Sequence, residues 1–104
     1  PDKGRKMDNS FQRMLDSARE AAGTPFRINS GFRTPKHNKK VGGSENSSHL
    51  RGFAADIHVT SNSTRYVILE ALLNVGFNRI GVAETFIHVD ADPIKTKNVI
   101  WTYA

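Results

Sequence analysis

The chain has 104 residues, no cysteine, and 15 Lys and Arg against 10 Asp and Glu, for a net charge of +5 at pH 7. That length suits one domain with its own core and no disulfides, no run approaches the roughly 18 apolar residues of a membrane span, and Pro1 to Lys6 lacks the apolar core of a signal peptide. The positive balance favours an anionic partner. The basic residues are scattered, with only Lys36, Lys39 and Lys40 clustered beyond the N-terminus and no aromatic stacking platform among them, which argues against nucleic acid.

Residues 1–7 are polar, basic and aperiodic, and read as a disordered or linker remnant; residues 8–104 read as a single domain. From Asp8 to Ala22 the apolar positions Phe11, Met14, Leu15, Ala18, Ala21 and Ala22 follow helical spacing, with Asp8 or Asn9 as cap and Gly23 as stop. Phe26 to Ser30 alternates as a short strand that should bury Phe26 and Ile28, and Gly31 breaks it. Val41 to Asn46 is a Gly-rich loop. Phe53 to Val59 alternates as a half-buried strand, Ser61-Asn62-Ser63-Thr64 is a capping cluster, and Tyr66, Ile68, Leu69, Leu72, Leu73 and Val75 mark a second helix closed by Gly76. Phe77 to Val82 and Thr85 to Asp90 read as an antiparallel pair joined at Ala83-Glu84, and Val99 to Tyr103 as a last strand. The expected fold is α+β: two helices packed on one face of a small, largely antiparallel sheet, with any site on the other face.

Within that frame, Ser47-Ser48-His49-Leu50-Arg51-Gly52-Phe53-Ala54-Ala55-Asp56 sets a histidine and a carboxylate seven residues apart. Fully extended, that separation spans roughly 23 Å at about 3.3 Å per residue, too far for two ligands of one ion. The chain must therefore double back, and Gly52 permits the bend because it has no Cβ to clash at positive φ. Period 2 puts Asp56 and His58 on one strand face, and Phe86-Ile87-His88-Val89-Asp90 does the same for His88 and Asp90. Imidazole and carboxylate are what a catalytic Zn²⁺ takes, with three protein ligands and a water, and His49, Asp56 and His88 are the candidate set for one ion. On spacing alone any single histidine reads more readily as a satisfied structural residue beside surface carboxylates, and it is the pairing of two such strands that brings the metal reading level with it.

The Ser47–Asp56 stretch resembles the SxHxxGxAxD motif of the zinc D-Ala-D-Ala peptidases of bacterial cell walls, a family that shares its fold with the Hedgehog signalling domain; Ser47, His49, Gly52, Ala54 and Asp56 fall on the pattern. The likeness extends to Ile28 to Asn38, Val41-Gly42-Gly43, Phe86 to Asp90 and Trp101, over about residues 8 to 103, and is nearest the small phage and bacterial branch. It implies a zinc peptidase acting on peptidoglycan stem or cross-bridge peptides, as carboxypeptidase or endolysin-like endopeptidase; the chain is expected to work as a monomer, without nucleic acid or membrane. It also implies that Arg33 lies by the active site, where its planar fork suits a substrate carboxylate. Ser47 is expected to hydrogen-bond near the site, and His37 to brace its loop.

Relatives draw a general base from a Glu, Asp or His two or three residues before the last ligand. Here those positions are Phe86 and Thr85, which cannot move a proton. Asp90, on the His88 face, and Glu84, four residues before His88, are the candidates; Asp90 is equally a carboxylate that orients a ligand imidazole, and Glu84 equally plain surface. The alternative function is a catalytically inactive, metal-stabilised module that binds cell wall or protein, as the Hedgehog relatives illustrate.

Overall fold

A computed structural model of the chain describes residues 7–30 and 52–103. Two helices, α1 (Asn9–Ala22) and α2 (Asn62–Asn74), accompany five strands: β1 (Ile28–Ser30), β2 (Ala54–His58), β3 (Arg79–Val82), β4 (Phe86–Asp90) and β5 (Val99–Thr102). The strands form one sheet in the order β1-β2-β4-β3-β5. Every neighbouring pair is antiparallel except β3 and β5, which run parallel. The expected α+β architecture, with two helices and a largely antiparallel sheet, is what the chain adopts.

The helices start and stop where local chemistry dictates. The Asp8 carboxylate accepts the Phe11 N–H at 3.0 Å and the Ser61 hydroxyl accepts the Thr64 N–H at 3.1 Å, each satisfying a donor that has no partner inside its helix. At the other end of α1, the Gly23 N–H closes on the carbonyls of Arg19 and Glu20. Phe11, Leu15 and Ala18 recur at helical spacing on the buried face of α1, and Ile68, Ala71 and Leu72 on that of α2. Both faces meet Ala55 and Ile57 of β2, Ile80 of β3, and Ile87 and Val89 of β4, all at or below 1% exposure. Phe11 packs edge-on against Phe77, with ring centroids 5.7 Å apart.

Strand periodicity then decides what the opposite face carries. If Ile57, Ile87 and Val89 turn towards the helices, Asp56, His58, Phe86, His88 and Asp90 must turn away. The strict pairing of β2 with β4 sets Asp56 opposite His88 and Ala54 opposite Asp90.

One expectation fails at the sheet edge. Ile28 remains 41% exposed, whereas Phe26 is partly buried against the core. The β1–β2 pairing shifts register between Ile28 and Ser30, and β1 is an edge strand. Ile28 accordingly lies on the rim of a shallow cleft it shares with Gln12, Leu15, Asp16, Arg19 and Phe26, not beneath a helix. In α2, Tyr66 and Leu73 likewise stay on the surface, at 65% and 44% exposure, because two helices cover only one stripe of each other and of the sheet.

Candidate active site

Gly52 takes the positive φ, +77°, that a bend there needs, and its carbonyl accepts the Asp8 N–H at 2.8 Å, tying the start of α1 to the entry of β2; the turn back from His49 lies outside the described residues. The Phe53 carbonyl then accepts the Ala91 N–H at 2.9 Å, so the ends of β2 and β4 are fastened together beside the site. Register does the rest. Asp56 and His88, which lie 32 residues apart, come within hydrogen-bond distance, with His88 Nδ1 2.8 Å from Asp56 Oδ1.

The other ring nitrogen is also engaged. His88 Nε2 lies 2.7 Å from Asp90 Oδ2, and the second oxygen of Asp90 accepts Arg79 Nε at 2.6 Å and the Asp92 backbone N–H at 3.3 Å. Arg79 is held in turn by a bond from Nη1 to the Thr96 carbonyl. The polar face is therefore a chain of charge-assisted contacts, Asp56–His88–Asp90–Arg79, running across three strands. Little of it meets water: the side chains of Asp56, His88, Asp90 and Arg79 are 15%, 12%, 2% and 12% exposed.

Burial and pairing pull the ionisation of these groups in opposite directions. For His88, burial disfavours the imidazolium, but hydrogen bonds to Asp56 and Asp90 outweigh it and raise the pKa. For Asp90, burial disfavours the carboxylate, yet the bonds from His88 and Arg79 prevail and lower the pKa. A carboxylate held ionised by these two donors is well placed to orient an imidazole and is a weak proton acceptor.

Of the residues singled out from sequence, Asp56 and His88 are brought face to face and Asp90 is set directly behind His88. Glu84 is exposed in the turn between β3 and β4, and its carbonyl accepts a bond from Arg65. Thr85, Phe86 and Ile87 separate it from His88, and β4 begins only at Phe86. Arg33, Ser47, His49, His37 and the Val41–Asn46 loop lie outside the described residues. Among the described residues no three His, Asp or Glu side chains form a metal-holding group. The donor chemistry nevertheless fits a metal: one nitrogen of His88 faces a carboxylate, and the other is held by a second carboxylate, the arrangement that fixes tautomer and ring orientation in metal-ligating histidines.

Two participants were not singled out from sequence. Arg79 shares the face of Gly81 by strand alternation, but its meeting with Asp90 depends on β3 lying beside β4. Asp92, 1% exposed, accepts the Ile94 N–H at 3.2 Å and lies 4.0 Å from the Lys95 ammonium, shaping the turn that leaves β4. The Asp-Pro pair at 92–93 was its only sequence signal.

Comparison with known proteins agrees with the motif. Over 67 residues the chain is 39% identical to a zinc D-Ala-D-Ala carboxypeptidase of Streptomyces albus G, a match covering 64% of this chain and 26% of the relative, so that the chain spans about a quarter of that protein's length. Residues 4–90 match the profile of the Peptidase M15 family, which takes in the SxHxxGxAxD stretch, β2, β4 and the chain Asp56–His88–Asp90–Arg79. On that match, the protein belongs to the Peptidase M15 family.

Proposed function

We propose that the chain is a zinc-dependent peptidase that hydrolyses peptidoglycan peptides, as a D-Ala-D-Ala carboxypeptidase or an endolysin-like endopeptidase. The observation that carries this reading is the placement of His88 between two carboxylates, Asp56 in front and Asp90 behind, on the sheet face away from the helices. His49, Asp56 and His88 would hold one Zn²⁺. When bound, zinc polarises a scissile carbonyl and brings the pKa of water to about 7.

The protein's own groups do the remaining work. Asp90 keeps the His88 ring in one orientation, and Arg79 keeps Asp90 ionised and fixed. Arg33 would take the substrate carboxylate in a bidentate grip, and Ser47 would hydrogen-bond near the site. Between the two roles open to Asp90, its contacts with Arg79 and the Asp92 N–H favour positioning over proton abstraction. Glu84, exposed in its turn, is read as surface.

The membrane plays no part in this reading; no helix among the described residues is long and apolar enough to cross one. The test is hydrolysis of purified peptidoglycan. Activity should vanish with a chelator and return with added zinc. Zinc bound without any cleavage of stem peptide or cross-bridge would instead mark an inactive binding module.

A further inference from the structure

β5 lies beyond the residues matched by the family profile, and it is separated from the site strand β4 by β3. Strands sit about 4.8 Å apart, so side chains two strands away ordinarily stand near 10 Å from each other. Trp101 of β5 nevertheless brings its indole centroid to 5.5 Å from the His88 ring. The residue between them explains how. Gly81 is the register partner of both His88 and Trp101, and a Cβ on it would lie 2.5 Å from Trp101 Nε1, 2.7 Å from Cε2 and 2.8 Å from Tyr103 Cε1. The indole therefore occupies the space that any other residue at position 81 would fill.

Trp101 meets a second member of the polar chain. The guanidinium carbon of Arg79 lies 5.2 Å from the indole centroid, within cation–π range. Tyr103 repeats the reach one pleat further along, its ring 5.2 Å from that of Phe86. Ile100, on the other face of the same strand, is 57% exposed, whereas Trp101 is half-buried.

We propose that Trp101 is a positioning residue for the site: seated over Gly81, it closes the Asp56–His88–Asp90–Arg79 chain from the β5 side and fixes the plane of the His88 ring. Its consequence for metal affinity rests on the zinc reading given above; its consequence for the ring does not. Trp101→Ala removes the indole, Gly81→Ala displaces it, and Trp101→Phe keeps a ring of smaller reach.

The first measurement is the imidazole ¹H–¹⁵N spectrum of the metal-free protein. The parent should show a His88 Nε2–H that exchanges slowly because Asp90 holds it. The signal should be lost in Trp101→Ala and Gly81→Ala and retained in Trp101→Phe, with amide spectra confirming that each variant is folded. A merely structural tryptophan would lower Tm and leave this ring signal as in the parent, and that result overturns the proposal. The second measurement needs no variant. Trp101 is the sole tryptophan, so its emission should change as zinc is added to the parent. Stoichiometric zinc binding with unchanged emission contradicts the proposal, whereas absence of zinc binding contradicts the peptidase reading and leaves the ring spectrum to decide the role of Trp101. In the folded alanine variants the zinc Kd should rise about 10-fold or more, as for other groups that orient a ligand.

Discussion

The two faces of the sheet are made by the same strands and obey opposite rules. On the helix side, Ile57, Ile80, Ile87 and Val89 meet α1 and α2, and many side chains share the stabilisation without direction. On the far side, Asp56, His88, Asp90 and Arg79 form a single line of contacts, each with specified partners. The first face tolerates repacking at a cost in stability. On the second, the loss of one link costs more than that bond alone, because a buried charge or ring nitrogen then gives up a specified partner.

Substitutions on the two sides should therefore separate stability from site chemistry. The largest loss of stability is expected from Arg79→Met, which leaves Asp90 buried without its guanidinium; breaking a buried pair costs about 3–5 kcal/mol, and zinc affinity should fall with it. Chemical denaturation checks the first effect and a competition titration the second. Ile87→Ala, at a site with no exposure, should cost about 2–5 kcal/mol on denaturation while zinc affinity, measured where the variant is still folded, stays at the parent value. A parallel loss of affinity in Ile87→Ala would show that the faces are not independent.

Asp90→Asn sharpens the comparison within the polar line itself. As a positioning carboxylate, Asp90 should cost about 10–100-fold in zinc affinity when changed, with activity largely restored by excess zinc. Acting as the base, it would instead cost roughly 10²–10⁴ in kcat with zinc still bound. The smallest effect belongs to Ser61→Ala, which removes the exposed hydroxyl that caps α2. It should lower stability by about 1 kcal/mol in a thermal melt and leave hydrolysis unchanged.

How much of this could be read beforehand follows the range of the interactions involved. The helix boundaries at Asp8, Gly23 and Ser61, and the division of β2 and β4 into apolar and polar positions, depend on neighbours within four residues and were legible in the sequence. The placement of Asp56 beside His88 was legible only through the motif, since it needs β2 and β4 to pair in one register. Arg79, Gly81 and the contact made by Trp101 were not legible. Their meeting depends on β4 lying between β2 and β3 and on β5 returning parallel to β3, and neither leaves a local pattern in the chain. Ile28 shows the reverse case, a locally correct alternation overridden by its place on the sheet edge.

On the zinc reading, the polar face holds one metal ion through His88 and its partners. Zinc stoichiometry after equilibrium dialysis, measured on the parent and on folded His88→Ala, tests it most directly. The parent should hold one zinc per chain and the variant no stoichiometric zinc; equal metal content in the two proteins would overturn the zinc reading.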